Sequence, residues 1–75
     1  MSSDVINIDP EILGGTPVFK GTRVPIECFF VHLEKGMSID EFLEEFPTVT
    51  RKQIIQLLEI AEKATTSKDL KMLVE

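Results

Sequence analysis

One cysteine, Cys28, and one histidine, His32, are all that this 75-residue chain holds of the two side chains on which structural metal sites most depend. A lone thiol excludes an internal disulfide. Cys28 and His32 are four apart, a spacing that brings both to one face of a helix, but no further Cys or His exists to complete a tetrahedral shell, so no metal is expected. The pair also lacks an evident orienting group and oxyanion site, so no catalytic residue is assigned and no enzyme is expected. Gly14-Gly15 does not open a helix after a strand in the phosphate-loop manner, which leaves no cofactor to expect. No apolar run approaches the ~18 residues of a membrane span. The start, Met1-Ser2-Ser3-Asp4, has no basic stretch followed by an apolar one, so it is not a secretory leader and a cytoplasmic protein is the expectation. Basic residues are scarce as well: 8 Lys and Arg stand against 13 Asp and Glu, a net charge of −5. That argues against a protein held on nucleic acid by bulk electrostatics, because phosphate binding depends on clustered cations.

What is present is an ordinary globular composition, 43% hydrophobic and 28% charged, in one small domain. A core of this size seldom supplies more than about 3–5 kcal/mol, and with no disulfide or metal to add to it, self-association is the expected supplement. Charge is uneven along the chain. Residues 1–50 carry three basic and nine acidic side chains, whereas residues 51–75 carry five basic and four acidic ones. A nucleic-acid contact, if made, therefore belongs to the region after residue 50.

Two helix starts stand in tandem, Ser38-Ile39-Asp40-Glu41 and Thr50-Arg51-Lys52-Gln53, each a hydroxyl residue followed three positions later by Glu or Gln. This is the capping-box pattern, in which the hydroxyl accepts from a first-turn N–H and the Glu or Gln reaches back to the N–H of the cap residue. Between them, Pro47 forbids continuation of the first helix and biases Phe46 away from helical angles. A short helix, a tight turn and a longer helix make a helix-turn-helix.

Around this motif the remaining elements follow. Val5–Ile8 reads as a brief strand halted by Asp9-Pro10, Gly14-Gly15 as a bend, and Val18-Phe19 with Thr22-Arg23-Val24 as a hairpin about Lys20-Gly21. A hairpin so short must lie against helices or pair with another strand. A first helix runs from Pro25 to about Lys35, ends at Gly36, and buries Ile26, Phe29, Phe30 and Leu33. The second buries Ile39, Phe42, Leu43 and Phe46 and exposes Asp40, Glu41, Glu44 and Glu45. The third, about Arg51 to Ala64, spreads its apolar residues over roughly 220°. Ile54, Leu57, Leu58 and Ala61 suffice for the intramolecular face, leaving Ile55 and Ile60 as candidates for contact with a second subunit. The expected fold is mainly α: a strand and β-hairpin region at 1–24, a three-helix bundle at 25–65 and an amphipathic tail at 66–75.

In the functional reading of the motif, the third helix enters the DNA major groove with Arg51, Lys52, Gln53 and Gln56 nearest bases and phosphates. Lys20 and Arg23 flank the hairpin turn and serve either as phosphate contacts beside that helix or simply as solubilising charge. The alternative is a bundle whose sharp turn is architectural, an interaction or dimerisation module that binds no DNA. Leu70, Met72, Leu73 and Val74 in the tail cover either the chain's own core, a dimer mate or another protein.

The stretch Ile8-Asp9-Pro10-Glu11-Ile12-Leu13-Gly14-Gly15-Thr16-Pro17-Val18-Phe19-Lys20-Gly21-Thr22-Arg23-Val24-Pro25-Ile26 closely resembles the signature of the prokaryotic family called domain of unknown function 433. The likeness continues through Gly36-Met37-Ser38 and the acidic helix to Phe46-Pro47, Thr50 and about Ala64. It implies a small helix-turn-helix-like domain behind an N-terminal hairpin, encoded beside a PIN-like nuclease and acting as its antitoxin. The expectation is then a dimeric antitoxin-like protein that occludes a nuclease toxin and binds operator DNA as an autoregulator. No individual DNA-reading residue carries over from the family; those named above rest on motif geometry alone.

Overall fold

A computed structural model describes residues 3–67. The order is β1 (Ile6–Asn7), a 3-10 turn at Leu13–Gly15, β2 (Val18–Phe19), α1 (Ile26–Glu34), α2 (Ile39–Glu45) and α3 (Arg51–Thr66). The fold is the mainly helical one expected, with a short antiparallel ribbon at its N-terminal end.

The ribbon differs from the expected hairpin in which segments pair. β1 pairs with β2, placing Ile6 opposite Phe19 and Asn7 opposite Val18, while the segment after Lys20-Gly21 contributes a single bridge, Val18 to Pro25. The tight turn is nevertheless present, closed by Phe19 N–H to the Val24 carbonyl at 2.9 Å and Thr22 N–H to the Phe19 carbonyl at 3.0 Å. Pro25 has no N–H with which to extend the ladder. The carbonyl of Pro17 instead accepts the first amide of α1, from Ile26, at 2.9 Å. The chain reverses between β1 and β2 through left-handed residues at Leu13, Gly14 and Gly15, a conformation that glycine adopts without penalty.

Each helix boundary has a local cause. α1 ends in a Schellman motif, with Gly36 at φ +89°, its N–H on the Leu33 carbonyl, and Met37 N–H on the His32 carbonyl. Both capping boxes form. Ser38 Oγ accepts from Glu41 N–H at 3.1 Å and Glu41 Oε1 from Ser38 N–H at 3.0 Å. Thr50 and Gln53 repeat this at 3.2 and 3.0 Å. Met37 and Val49 precede the two caps, and Phe42 and Ile54 stand at the fourth position of each helix; all four lie in the core, as in a hydrophobic staple. α3 runs two residues past Ala64, and there the Thr65 and Thr66 hydroxyls bond back to carbonyls of Ala61 and Glu62.

The core centres on Phe19, Phe29 and Phe42, all fully buried, one each from β2, α1 and α2. Their ring centroids are 5.0 to 6.3 Å apart, with Phe29 edge-on to both others. Val5, Val49, Ile54 and Leu57 complete the buried cluster. The stripes expected on α1 and α2 face it. On α3 two of the four expected positions fall short: Leu58 is 36% exposed and Ala61 is only partly buried, leaving Ile54 and Leu57 as the buried residues.

Phe42→Ala should destabilise the domain by about 3–5 kcal/mol, the usual cost of emptying an aromatic core site, which is most of what so small a fold commands. Urea unfolding followed by circular dichroism measures it. Glu41 adds a pH dependence. Its carboxylate is held below the usual glutamate pKa by hydrogen bonds from the Ser38 backbone and side chain. The stability it contributes is therefore fully present above the ordinary glutamate range and is lost as pH falls through the lowered value. In Glu41→Gln that part of the acid dependence should vanish from thermal melts between pH 3 and 6.

Candidate nucleic-acid interface

The helix-turn-helix consists of α2, a five-residue connection at 46–50 and α3. Phe46, at φ −121° and ψ 75°, ends α2 ahead of Pro47, and Val49 N–H bonds the Phe46 carbonyl at 3.0 Å to close the turn. The connection thus delivers Thr50 directly into the cap of α3.

The structure treats the four residues expected on the reading face unequally. Arg51 is paired with Asp40 of α2. Both side chains are more than half exposed, so this pair is worth little and opens at little cost. Gln53 is committed at both ends of its amide: Oε1 accepts from Thr50 N–H, and Nε2 donates to the Lys20 carbonyl at 2.9 Å. Lys52 is exposed and Gln56 partly so, and neither has a hydrogen-bond or ion-pair partner among the described residues. Lys52 and Gln56 are therefore the two free polar side chains on the outer face of the first turns.

The contact between Gln53 and Lys20 spans 33 residues and ties the turn after β2 to the first turn of α3. Capping alone made Gln53 conspicuous in the sequence; nothing local marked its second partner. The same turn carries Arg23, which lines a hollow of ≈ 600 Å³ with Asn7, Ile12, Thr22 and, from the helix-turn-helix connection, Thr48. Lys20, Arg23 and Lys52 are all exposed. The helix N-terminus adds a partial positive charge beside them. Against this stands the outer face of α2, where Asp40, Glu41, Glu44 and Glu45 are all exposed and acidic, so α2 cannot lie along phosphates.

The cysteine and histidine belong to packing. His32 Nδ1 donates to the Cys28 carbonyl at 2.6 Å, its ring stands edge-on to Phe42 and Phe46, and Nε2 is 3.9 Å from Glu45 Oε1. Burial, and then the Glu45 carboxylate, push the Cys28 thiol pKa up, away from the thiolate that a nucleophile requires. Among the described residues no group of three metal-ligating side chains occurs, and no helix is long and apolar enough to cross a membrane.

Of the expected dimer residues, Ile55 is 51% and Ile60 42% exposed. They lie on different flanks of α3. Ile55 shares a hollow with Leu58, and Ile60 lies in another against Ser3, Asp4 and Val5 of the N-terminal arm. The expected partner-binding residues Leu70, Met72, Leu73 and Val74 lie outside the described residues.

The family described as "Protein of unknown function (DUF433)" matches residues 6–61, from the first residue of β1 into the fourth turn of α3, and the chain belongs to it. It is also similar to "Uncharacterized protein y4eO" of Sinorhizobium fredii (strain NBRC 101917 / NGR234), with 37% identity over 51 residues. That alignment covers 68% of this chain and 23% of the relative, so the chain spans about a quarter of the protein it matches. No solved structure matches.

The double role of Gln53 separates capping from tethering. Gln53→Glu keeps an acceptor for Thr50 but loses the donor to Lys20 and should cost about 0.5–1.5 kcal/mol, as one hydrogen bond does. Gln53→Ala loses the cap contact as well and should cost about 1 kcal/mol more. Chemical denaturation of the two variants beside wild type gives both values.

Proposed function

We propose that this chain is a binding module with no reaction of its own, the antitoxin-like partner of a PIN-like nuclease, which also binds operator DNA through α2, the connecting turn and α3. It works in the cytoplasm. The α3 N-terminus enters the major groove, Lys52 and Gln56 face the duplex, and Arg51 leaves Asp40 for a phosphate or base. The nuclease is held by the apolar tail residues Leu70, Met72, Leu73 and Val74.

The observation that carries this reading is the bond from Gln53 to the Lys20 carbonyl. The bond is made to the main-chain carbonyl, so it fixes the turn that bears Lys20 and Arg23 rather than the lysine side chain itself, and contacts to phosphate depend on such positioning. The tether holds Lys20, and with it the turn bearing Arg23, against the one helix end that a helix-turn-helix presents to DNA. Resemblance to a family associated with nuclease toxins supports the antitoxin role.

A second reading, an interaction module that binds no DNA, is favoured by the exposed acidic face of α2 and by the engagement of Arg51 and Gln53 within the fold. Electrophoretic shifts on the DNA upstream of the chain's own coding sequence separate the two. With so few cations the salt slope should be shallow, and Lys20→Ala with Lys52→Ala should lower it by about two and weaken binding about tenfold at low salt. Wild type binding this DNA no better than random duplex would hand the assignment to the interaction module.

A further inference from the structure

On the flank of α3 that the core does not use, Arg51, Ile55, Leu58 and Glu62 recur at i, i+4, i+7 and i+11. This is the spacing of a coiled-coil seam. All four are exposed. Ile55, Leu58, Glu59 and Glu62 also enclose a shallow hollow of ≈ 190 Å³. Residues spaced i, i+3, i+4 and i+7 are the four that form the hole for a knob from a facing helix. The flank thus offers both a hole and, in Ile55 or Leu58, a side chain of the size that fills one.

We infer that the occupant is a second copy of this chain, with the two α3 helices packed antiparallel about a two-fold axis between Gln56 and Leu57. The seam is self-complementary only in this direction. Two-fold pairing sets Ile55 beside Leu58 of the second copy and Arg51 beside Glu62 of the second copy, and each contact occurs twice, as in any isologous interface. Ile55 of one copy enters the hollow of the other. A parallel arrangement would set Arg51 against Arg51 and Glu62 against Glu62. Arg51 has five donors, enough to keep Asp40 while taking the second glutamate.

The two-fold also places the cores of both copies on one side and the Lys52 and Gln56 faces on the other. Two helices packed 8–10 Å apart form a layer about 20 Å wide, broader than a major groove of about 12 Å. Paired α3 and groove-inserted α3 are therefore alternative states, and DNA would be taken by the separated copies. The seam itself does not depend on any reading of DNA.

Sedimentation equilibrium of the full chain without DNA is the test. Contact through about three turns per copy is at the small end of protein interfaces, so reversible dimerisation on the order of 100 µM is expected. Arg51→Glu and Glu62→Arg should each weaken it about tenfold. An equimolar mixture of the two variants should recover it, because the mixed pair restores both opposite-charge contacts, and so should the double variant carrying both changes. Ile55→Asp should abolish dimerisation, while Ile60→Asp, on the other flank, should leave it unchanged. All these positions are exposed, and circular dichroism confirms that each variant remains helical. Monomeric wild type at ~1 mM, or dimerisation that survives Ile55→Asp, overturns the seam. Failure of the mixture to recover overturns its antiparallel direction.

Discussion

Three phenylalanine rings, from a strand of two residues and two helices of nine and seven, hold this molecule together. None of those elements is stable alone: a two-stranded ribbon is marginal at best, and helices under about 12 residues are marginal in water. Phe19, Phe29 and Phe42 convert three marginal elements into one, because each ring packs against the other two. Their edge-to-face contacts also fix orientation as well as proximity. α3 adds Ile54 and Leu57 to the same buried cluster. The remainder of its apolar surface is left outward, where Ile55, Leu58 and Ile60 are exposed.

The helix starts were legible in the sequence because a capping box is written within four residues and answers a local question, where the first amides of a helix go. The Gly36 stop was legible for the same reason. Pairing in the ribbon was not, since strands of two residues carry no period from which a partner could be read. The hairpin signal about Lys20-Gly21 correctly marked the turn and overstated its ladder, because Pro25 withholds an amide where a third strand would need one. Leu58 was misplaced by arc counting alone. Periodicity says which residues share a face but not how much of that face another element has already filled.

The candidate interface was legible in part. Spacing identified the first turns of α3, but it treated Arg51, Lys52, Gln53 and Gln56 as equals. Only three-dimensional neighbours, Asp40 for one and the Lys20 carbonyl for the other, divide them into engaged and free. A bond that spans 33 residues leaves no local trace. The separation of roles follows from geometry: the glutamine that caps the helix also anchors the turn, so the helix end and the basic turn are positioned as one unit.

Ala61 is the last partly buried residue of α3, and the family match ends at the same position, yet the helix continues to Thr66 with residues 62–66 all exposed. That protruding turn is a spacer of fixed pitch. Each residue added to it advances whatever follows by about 1.5 Å and rotates it by about 100°. Loss or gain of one residue therefore turns an attached segment away from its former side of the bundle, whereas a change of seven keeps its direction to within about 20° and moves it about 10 Å outward. The length of that turn, rather than its chemistry, sets where the helix ends relative to the bundle.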